Sequence, residues 1–467
     1  MRLAGHRSFR VSCGSPAAEV PNTVKPDTPP GKAGAPFTSW GNVIRKNYEI
    51  APLLSRHAGF PEAPSHASVL PHGNGRSYGD SCLNVGAALI PTRSLDRFIA
   101  MDVEQGIVTC EAGILLDEIF RVIMPAGWFV PVTPGTRFVT LGGAIANDVH
   151  GKNHHAVGTI GRHIIRFELL RSDGQRLICS ASENPDWFSA TIGGLGLTGV
   201  ITWAQLRLRP ISGPLMSVET IRFANLDEFL RLQSESDRDF EYTVAWVDCL
   251  GKGSQLGRGW LERANHAIAQ TPVRHEHSRA LNVPFVPPVS LVNAVSLRLF
   301  NTLYYHRPRA RHADQWFESF FYPLDCIGNW NRLYGPRGLY QYQCVIPDPT
   351  GRAGTAALLN AIARSGQGSF LAVLKAFGDL ESPGMLSFPR KGITLALDFP
   401  NRGQSLERLF TELDAIVAET GGRLYPAKDG RMPGKLFREG FPRWREFTRF
   451  IDPRCSSSFW RRVMDGA

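Results

Sequence analysis

Three glycine-rich stretches and a few cations set among apolar residues hold the chemical information in this 467-residue chain. The first stretch reads Gly73-Asn74-Gly75-Arg76-Ser77-Tyr78-Gly79-Asp80. Glycines let a backbone take positive φ and approach a ligand closely, and successive N–H groups form an anion-binding nest. The last gap is one residue too long for G-x-G-x-x-G, and taken alone the loop reads equally well as a structural turn. The second stretch runs through Gly135 and Thr136 to Gly142, Gly143, Ala146, Asn147, His150, Gly151 and Asn153. Small residues at this density let a chain run tightly along an extended cofactor. His150 and His154 invite a metal reading, but glycines at 142, 143 and 151 argue against a helix presenting both. No cysteine or carboxylate set completes such a site, so no metal is expected.

The third stretch, Gly194-x-Gly196-x-x-Gly199, matches the dinucleotide pattern letter for letter. That pattern works only where a strand leads into a helix whose N-terminus meets the pyrophosphate. Here Val200 opens a run that alternates like a strand, which excludes a nicotinamide site of that type. The loop still remains available to another cofactor.

Among the cations, Lys375 interrupts the apolar run FLAVLKAF. Burying an ammonium there is costly unless it meets a ligand or partner, and a snorkelling lysine at a strand end is the plain alternative. On neighbouring strands Gln341 and Gln343 share one face, and Thr394 and Ala396 share another. Together such side chains can line one wall of a ligand site, and which faces turn inward is open at this level.

The elements that must position these residues follow from periodicity. Residues 1–35 are rich in Pro, Gly, Ala and Ser and read as a disordered leader. Strands are expected over 68–71, 87–91 and 106–111, and a helix over 115–124. A hairpin follows over 164–179 around Asp173-Gly174, then a short helix from Asn184 through Phe188. A long strand over 200–208 ends at Pro210, which places a boundary near 212. Beyond it, strand patterns over 240–250, 338–347, 367–377 and 390–399 alternate with helical ones over 354–365 and 405–419. This predicts an antiparallel sheet with helices on one face, and an α+β fold overall.

Composition narrows the class. The length exceeds what a single core supports. Eight scattered cysteines suit reduced thiols rather than a disulfide framework. Fifty-two Lys and Arg against 42 Asp and Glu leave a formal charge of +10, which favours a dinucleotide, a phosphorylated substrate or an anionic membrane surface. The basic residues are dispersed and no nucleic-acid module is present, so nucleic acid is not an expected partner. No apolar run is long enough to span a bilayer or to form a signal peptide, which reads as a cytoplasmic protein with at most peripheral membrane contact.

Taken together, GNGRSYGD, PGT, GGAIANDVHGKNHH, GGLGLTG, NWNRLYGP, YQYQ, LKAFG and RLYPAKDGR resemble, in this order, the vanillyl-alcohol-oxidase family of FAD-binding oxidoreductases, and within it the branch acting on lipid-linked pentoses. The similarity runs from about residue 40 to about 460. It implies an FAD-binding domain of two small subdomains over 36–212, a substrate domain over 213–420, and a C-terminal segment over 421–467 returning to the first domain. Many family members bond the flavin to a histidine in the first loop; Arg76 stands at that place here, which implies a non-covalent FAD.

The implied cofactor-binding residues are Gly73, Asn74, Gly75, Arg76, Ser77, Tyr78, Gly135, Thr136, Gly142, Gly143, Ala146, Asn147, His150, Gly151, Asn153, Gly194, Gly199, Val200 and Tyr425. Those implied for substrate are Tyr78, Trp246, Tyr334, Gln341, Gln343, Lys375, Thr394, Ala396 and Lys428. His150, Lys428 and Lys375 are the implied catalytic groups, with the proton acceptor open between His150 and Lys428. For Lys428 the plain alternative is a solvated pair with Asp429. Mycobacterial members have cysteine at the position of Ala396 and asparagine at that of Thr394. The implied reaction oxidises the 2′-hydroxyl of a polyprenylphosphoryl ribose, and a short-chain-type keto-reductase completes epimerisation to the arabinose form. The alternatives are a soluble sugar, polyol or aldonolactone oxidase on the same fold, and a binding protein without catalysis.

Overall fold

Alternating apolar positions build two antiparallel sheets, described by a computed structural model over residues 37–268, 281–308 and 310–465. The leader expected over 1–35 lies outside the described residues. A five-stranded sheet runs in the order Phe98–Asp102, Ile107–Glu111, Val200–Arg207, Ile164–Leu170, Arg176–Ser180. The expected hairpin is its edge, turning at Gly174 with φ +85°. Beside it lies a small parallel sheet of Glu49–Ile50, Ala88–Pro91 and Val69–His72.

The chain changes sheets between Pro210 and Leu215. It then forms eight antiparallel strands in the order His312–Trp316, Leu215–Phe223, Gly259–His266, Tyr242–Val247, Ala372–Phe377, Gly392–Pro400, Leu339–Pro347, Arg423–Leu424. Helices Leu226–Ser236, Gly351–Ser365 and Gln404–Glu419 pack on one face of it. Tyr342, Cys344, Ile346, Leu395, Leu397 and Phe399 point into that interface and meet Leu358, Phe410 and Leu413. A strand alternates sides at every residue, so the intervening positions must face away from the helices.

Some elements differ from expectation. The helix from Asn184 runs on to Thr191. A helix covers Leu141–Ala146 despite its two glycines, because the Thr140 side chain caps it by accepting from the Gly143 N–H. His150 lies beyond that helix, whereas His154 opens another, so the two histidines do not share one helix face.

Candidate active site

Two walls face each other. The first is made of loops. Residues 73–78 follow strand Val69–His72, and Tyr78 N–H donates to the Ala427 carbonyl at 2.9 Å. Gly75 has φ +59°, a conformation that costs a glycine least. Gly79 runs so close to the C-terminal segment that a Cβ there would lie 1.6 Å from the Asp429 carbonyl oxygen. The third loop joins the second through Gly193 N–H to Ile145 O and Leu195 N–H to Ala146 O. Helix precedes this loop and strand follows it, the reverse of the nucleotide pattern.

These loops present partly exposed strips in otherwise buried surroundings. Residues 73–77 form one, and Gly142, Gly143, Ala146 and Asn147 another. Asn74 donates to Phe138 O at 2.7 Å and Asn147 to Gly143 O at 2.8 Å, while Thr136 Oγ1 accepts from Phe138 N–H. Asn153 holds the Pro131 carbonyl at 2.9 Å. The Arg76 guanidinium lies 4.4 Å over the Trp40 ring, and its buried Nε has no partner. Gly135 is open, with nothing within 4 Å of a Cβ built on it. Gly194 and Gly199 are closed against the Ala190 and Leu170 carbonyls. The Val200 side chain packs into a core cluster with Val69, Ala88 and Leu170, and Gly194, Gly199 and Val200 are all buried.

The second wall is the face of the eight-stranded sheet opposite the three packed helices. Register sets Trp246 beside Val373, Val373 beside Ala396, and Ala396 beside Gln343. The next row is Lys375, Thr394 and Val345, and a third joins Asp398 to Gln341. The glutamines, Thr394 and Ala396 therefore share a single face of the sheet. Trp246 donates to Phe370 O at 2.9 Å, and Tyr334 is buried beside Trp330. Thr394 is tied to the Cys344 carbonyl.

Between the walls lies a cluster of buried titratable side chains. His150 Nε2 sits 3.0 Å from the Gln343 amide nitrogen, and its buried Nδ1 has no partner. Since the amide N–H donates, Nε2 accepts and the proton resides on Nδ1. Burial first, then Lys375, His154 and Lys428, holds the His150 pKa well below the usual histidine value. Lys375 Nζ reaches Gly151 O at 3.4 Å. Its pKa is lowered to about 7 by burial, with the charges of Lys152 and Lys428 adding to the effect. Lys428 Nζ lies 4.1 Å from the Tyr78 ring centroid. Burial lowers its pKa and Asp398 opposes that shift. Tyr425 bridges the walls, with N–H to Gln343 O and its hydroxyl to Asn147 O at 3.0 Å.

Two members of this cluster were not among the sequence candidates. Asp398 is 2% exposed and accepts from Gln341 at 2.6 Å, and burial raises its pKa. Counting by twos from Thr394 and Ala396 reaches it. Lys152 lies 4.1 Å from the Phe320 ring centroid and donates to the Phe320 carbonyl, and burial lowers its pKa to about 8. Its place between Gly151 and Asn153 gave no periodic signal.

The FAD binding domain family matches residues 63–180, which holds the first two loops. The chain is 37% identical over 399 residues to decaprenylphosphoryl-beta-D-ribose oxidase of Mycolicibacterium smegmatis, covering 82% of this chain and 86% of that protein. The chain belongs to the decaprenylphosphoryl-β-D-ribose oxidase family. It is 33% identical to an uncharacterized protein of Streptomyces coelicolor, over 73% of this chain and 96% of that one. Mouse L-gulonolactone oxidase is 32% identical over 140 residues, 30% of this chain and 31% of that enzyme.

As a member of this oxidase family, the protein is an FAD-dependent oxidoreductase. Its loops fit that cofactor. They offer partly exposed strips of small residues, and the unpartnered Arg76 Nε and His150 Nδ1 are donors awaiting an acceptor. Arg76 has no imidazole with which to form a histidyl–flavin bond. No described helix is long and apolar enough to cross a membrane.

Proposed function

We propose that this protein oxidises the 2′-hydroxyl of a polyprenylphosphoryl-β-D-ribose to the 2′-ketone, the first half of epimerisation to the arabinose form. The carrying observation is the enclosure of Lys375 beside the ammonium groups of Lys152 and Lys428. Like charges gathered away from water are stable when an anion joins them, and a sugar phosphate supplies one. The family supports the pentose, since the mycobacterial relative is named for a lipid-linked ribose.

When bound, FAD supplies the two-electron acceptor. The protein's part is to hold the sugar and take its proton. As the carbinol hydrogen leaves carbon with the C–H electron pair, the hydroxyl proton passes to a base, and the carbon becomes a carbonyl. Lys428, whose pKa burial lowers against the opposing charge of Asp398, and His150, neutral through burial and able to accept at Nε2 once that atom gives up the Gln343 amide, are the two candidate acceptors. Gln341, Gln343 and Thr394 line the sheet wall where a sugar's hydroxyls need partners, and Trp246, Tyr334 and Tyr78 close it with aromatic surface. Residues 73–78, Gly135, Thr136, Gly142, Gly143, Ala146, Asn147, His150, Gly151, Asn153 and Tyr425 hold the cofactor.

In this reading residues 36–212 form the FAD-binding domain in two subdomains, 213–420 the substrate domain, and 421–467 returns to the first. The backbone bonds from Val69 N–H to Arg454 O and from Ser456 N–H to Val69 O support that return. A short-chain-type keto-reductase consumes the ketone, and the enzyme works at the membrane surface by peripheral contact. Anaerobic flavin absorbance tests the substrate class. Polyprenylphosphoryl-ribose in detergent bleaches the oxidised band, whereas free ribose and L-gulonolactone do not. Bleaching by the free sugars alone overturns the reading in favour of a soluble sugar oxidase.

A further inference from the structure

Helix Ala294–His306 has two faces with opposite surroundings. Asn293 caps it by accepting from the Val295 and Ser296 N–H groups, and Ser296 donates back toward the preceding turn. Its inward side chain Leu297 joins Tyr78, Trp330, Tyr334 and Leu339 in one buried cluster. Phe300 and Tyr304 lean on Phe370 and Trp246, with ring centroids 4.8 and 4.6 Å apart. The helix is thus the outer support of the aromatic residues assigned to the substrate.

The outward face is bare. Val295, Leu299 and Leu303, each four residues from the next, are 76%, 60% and 62% exposed. The preceding loop adds Phe285 at 68% and Val289 at 66%. An apolar stripe of this length on a monomer's surface marks a contact site. Its charge says with what. Residues 281–312 contain no Asp or Glu, and Arg298 and Arg307 stand exposed beside the stripe. Apolar residues over one face with arginines at its margin are the pattern of a helix that lies in the headgroup layer of an anionic bilayer.

We infer that Ala294–His306 and the loop before it are the membrane-docking surface of this protein, with anionic lipid as the occupant. This rests on the lipid-linked substrate proposed above and deepens it. One side of the helix braces the sugar site while the other meets the bilayer from which the substrate's polyprenyl chain is presented. The sugar phosphate then enters the site without the chain leaving the lipid.

The test uses the full-length FAD-loaded protein and sedimentation with vesicles of phosphatidylcholine alone or mixed with phosphatidylglycerol. The protein pellets with the mixed vesicles and remains in solution with the neutral ones. A triple variant, Val295→Gln, Leu299→Gln and Leu303→Gln, partitions about tenfold or more weakly. Its flavin content, melting temperature and turnover of a short, water-soluble phosphoryl-ribose analogue stay unchanged. A wild-type protein that ignores the mixed vesicles, or a triple variant that binds them equally, overturns the inference. So does retention of the triple variant on vesicles combined with loss of a protein complex, which makes the stripe a protein interface. Failure here is separable from failure of the substrate assignment, because bleaching by the lipid-linked sugar in detergent involves no bilayer.

Discussion

The loop wall and the sheet wall of the site are built on opposite principles. Around Gly79 and Gly142 to Asn147, specificity comes from backbone placement, and side chains matter chiefly by being small. On the sheet face it comes from charged and polar side chains that burial has pushed away from their usual proton affinities. A cofactor that stays bound calls for a fitted surface, while a substrate that reacts calls for groups ready to exchange a proton. The two walls should therefore fail differently when altered.

The sharpest break is Lys428→Met, in the C-terminal turn that faces the sheet wall. It removes one of the two proton acceptors, the cation opposite Asp398 and the contact with the Tyr78 ring, while the backbone bond from Tyr78 to Ala427 stays in place. Turnover per bound flavin falls by about 10²–10⁴-fold, the usual contribution of a general base, with flavin content unchanged. Single-turnover flavin reduction measures it directly. A fall below tenfold assigns the proton to His150 instead.

The matching break on the loop side is Gly79→Ala. The added Cβ at 1.6 Å from the Asp429 carbonyl oxygen forces the first loop off the C-terminal segment. Overpacking of this kind costs about 1–3 kcal/mol or more. Melting temperature and FAD occupancy drop, but the flavin that remains turns over at the wild-type rate. Normal occupancy with slow turnover would erase the contrast between the walls.

The same contrast explains what sequence showed. Glycine spacing is visible as letters, so the loops, and the strand after Gly199 that excludes a nucleotide motif, were legible. Period-two runs predicted strands over 240–250, 338–347, 367–377 and 390–399, and the structure has strands within or overlapping each, at Tyr242–Val247, Leu339–Pro347, Ala372–Phe377 and Gly392–Pro400. The face each presents was not legible, because it depends on which strands pair. Only the register of Gln343 with Ala396 and of Val373 with Trp246 unites these residues on one side and brings Asp398 with them. The helix over Leu141–Ala146 was hidden because its stability comes from the Thr140 cap and burial, while its glycines argue the other way. Lys152 was hidden because nothing local announces that Phe320, far along the chain, will close over it.

The smallest effect tests the electrostatics of the sheet wall without catalysis. Lys375 titrates near about 7 in the folded protein against 10.5 for the unperturbed side chain. Between these values the unfolded chain binds more protons, so in the cofactor-free protein this site adds stability as pH rises from 7 toward 10.5. Lys375→Met has no such dependence and is relieved of a buried ammonium. The variant is therefore the more stable at pH 7, and its advantage over wild type shrinks by about 2 kcal/mol by pH 9, at 1.36 kcal/mol per pKa unit. Denaturant midpoints of both proteins at the two pH values measure the change. A gap that stays constant would mean that Lys375 remains protonated throughout and already has an anionic partner. The sheet wall would then be a fitted surface like the loops rather than a charged one waiting for its ligand.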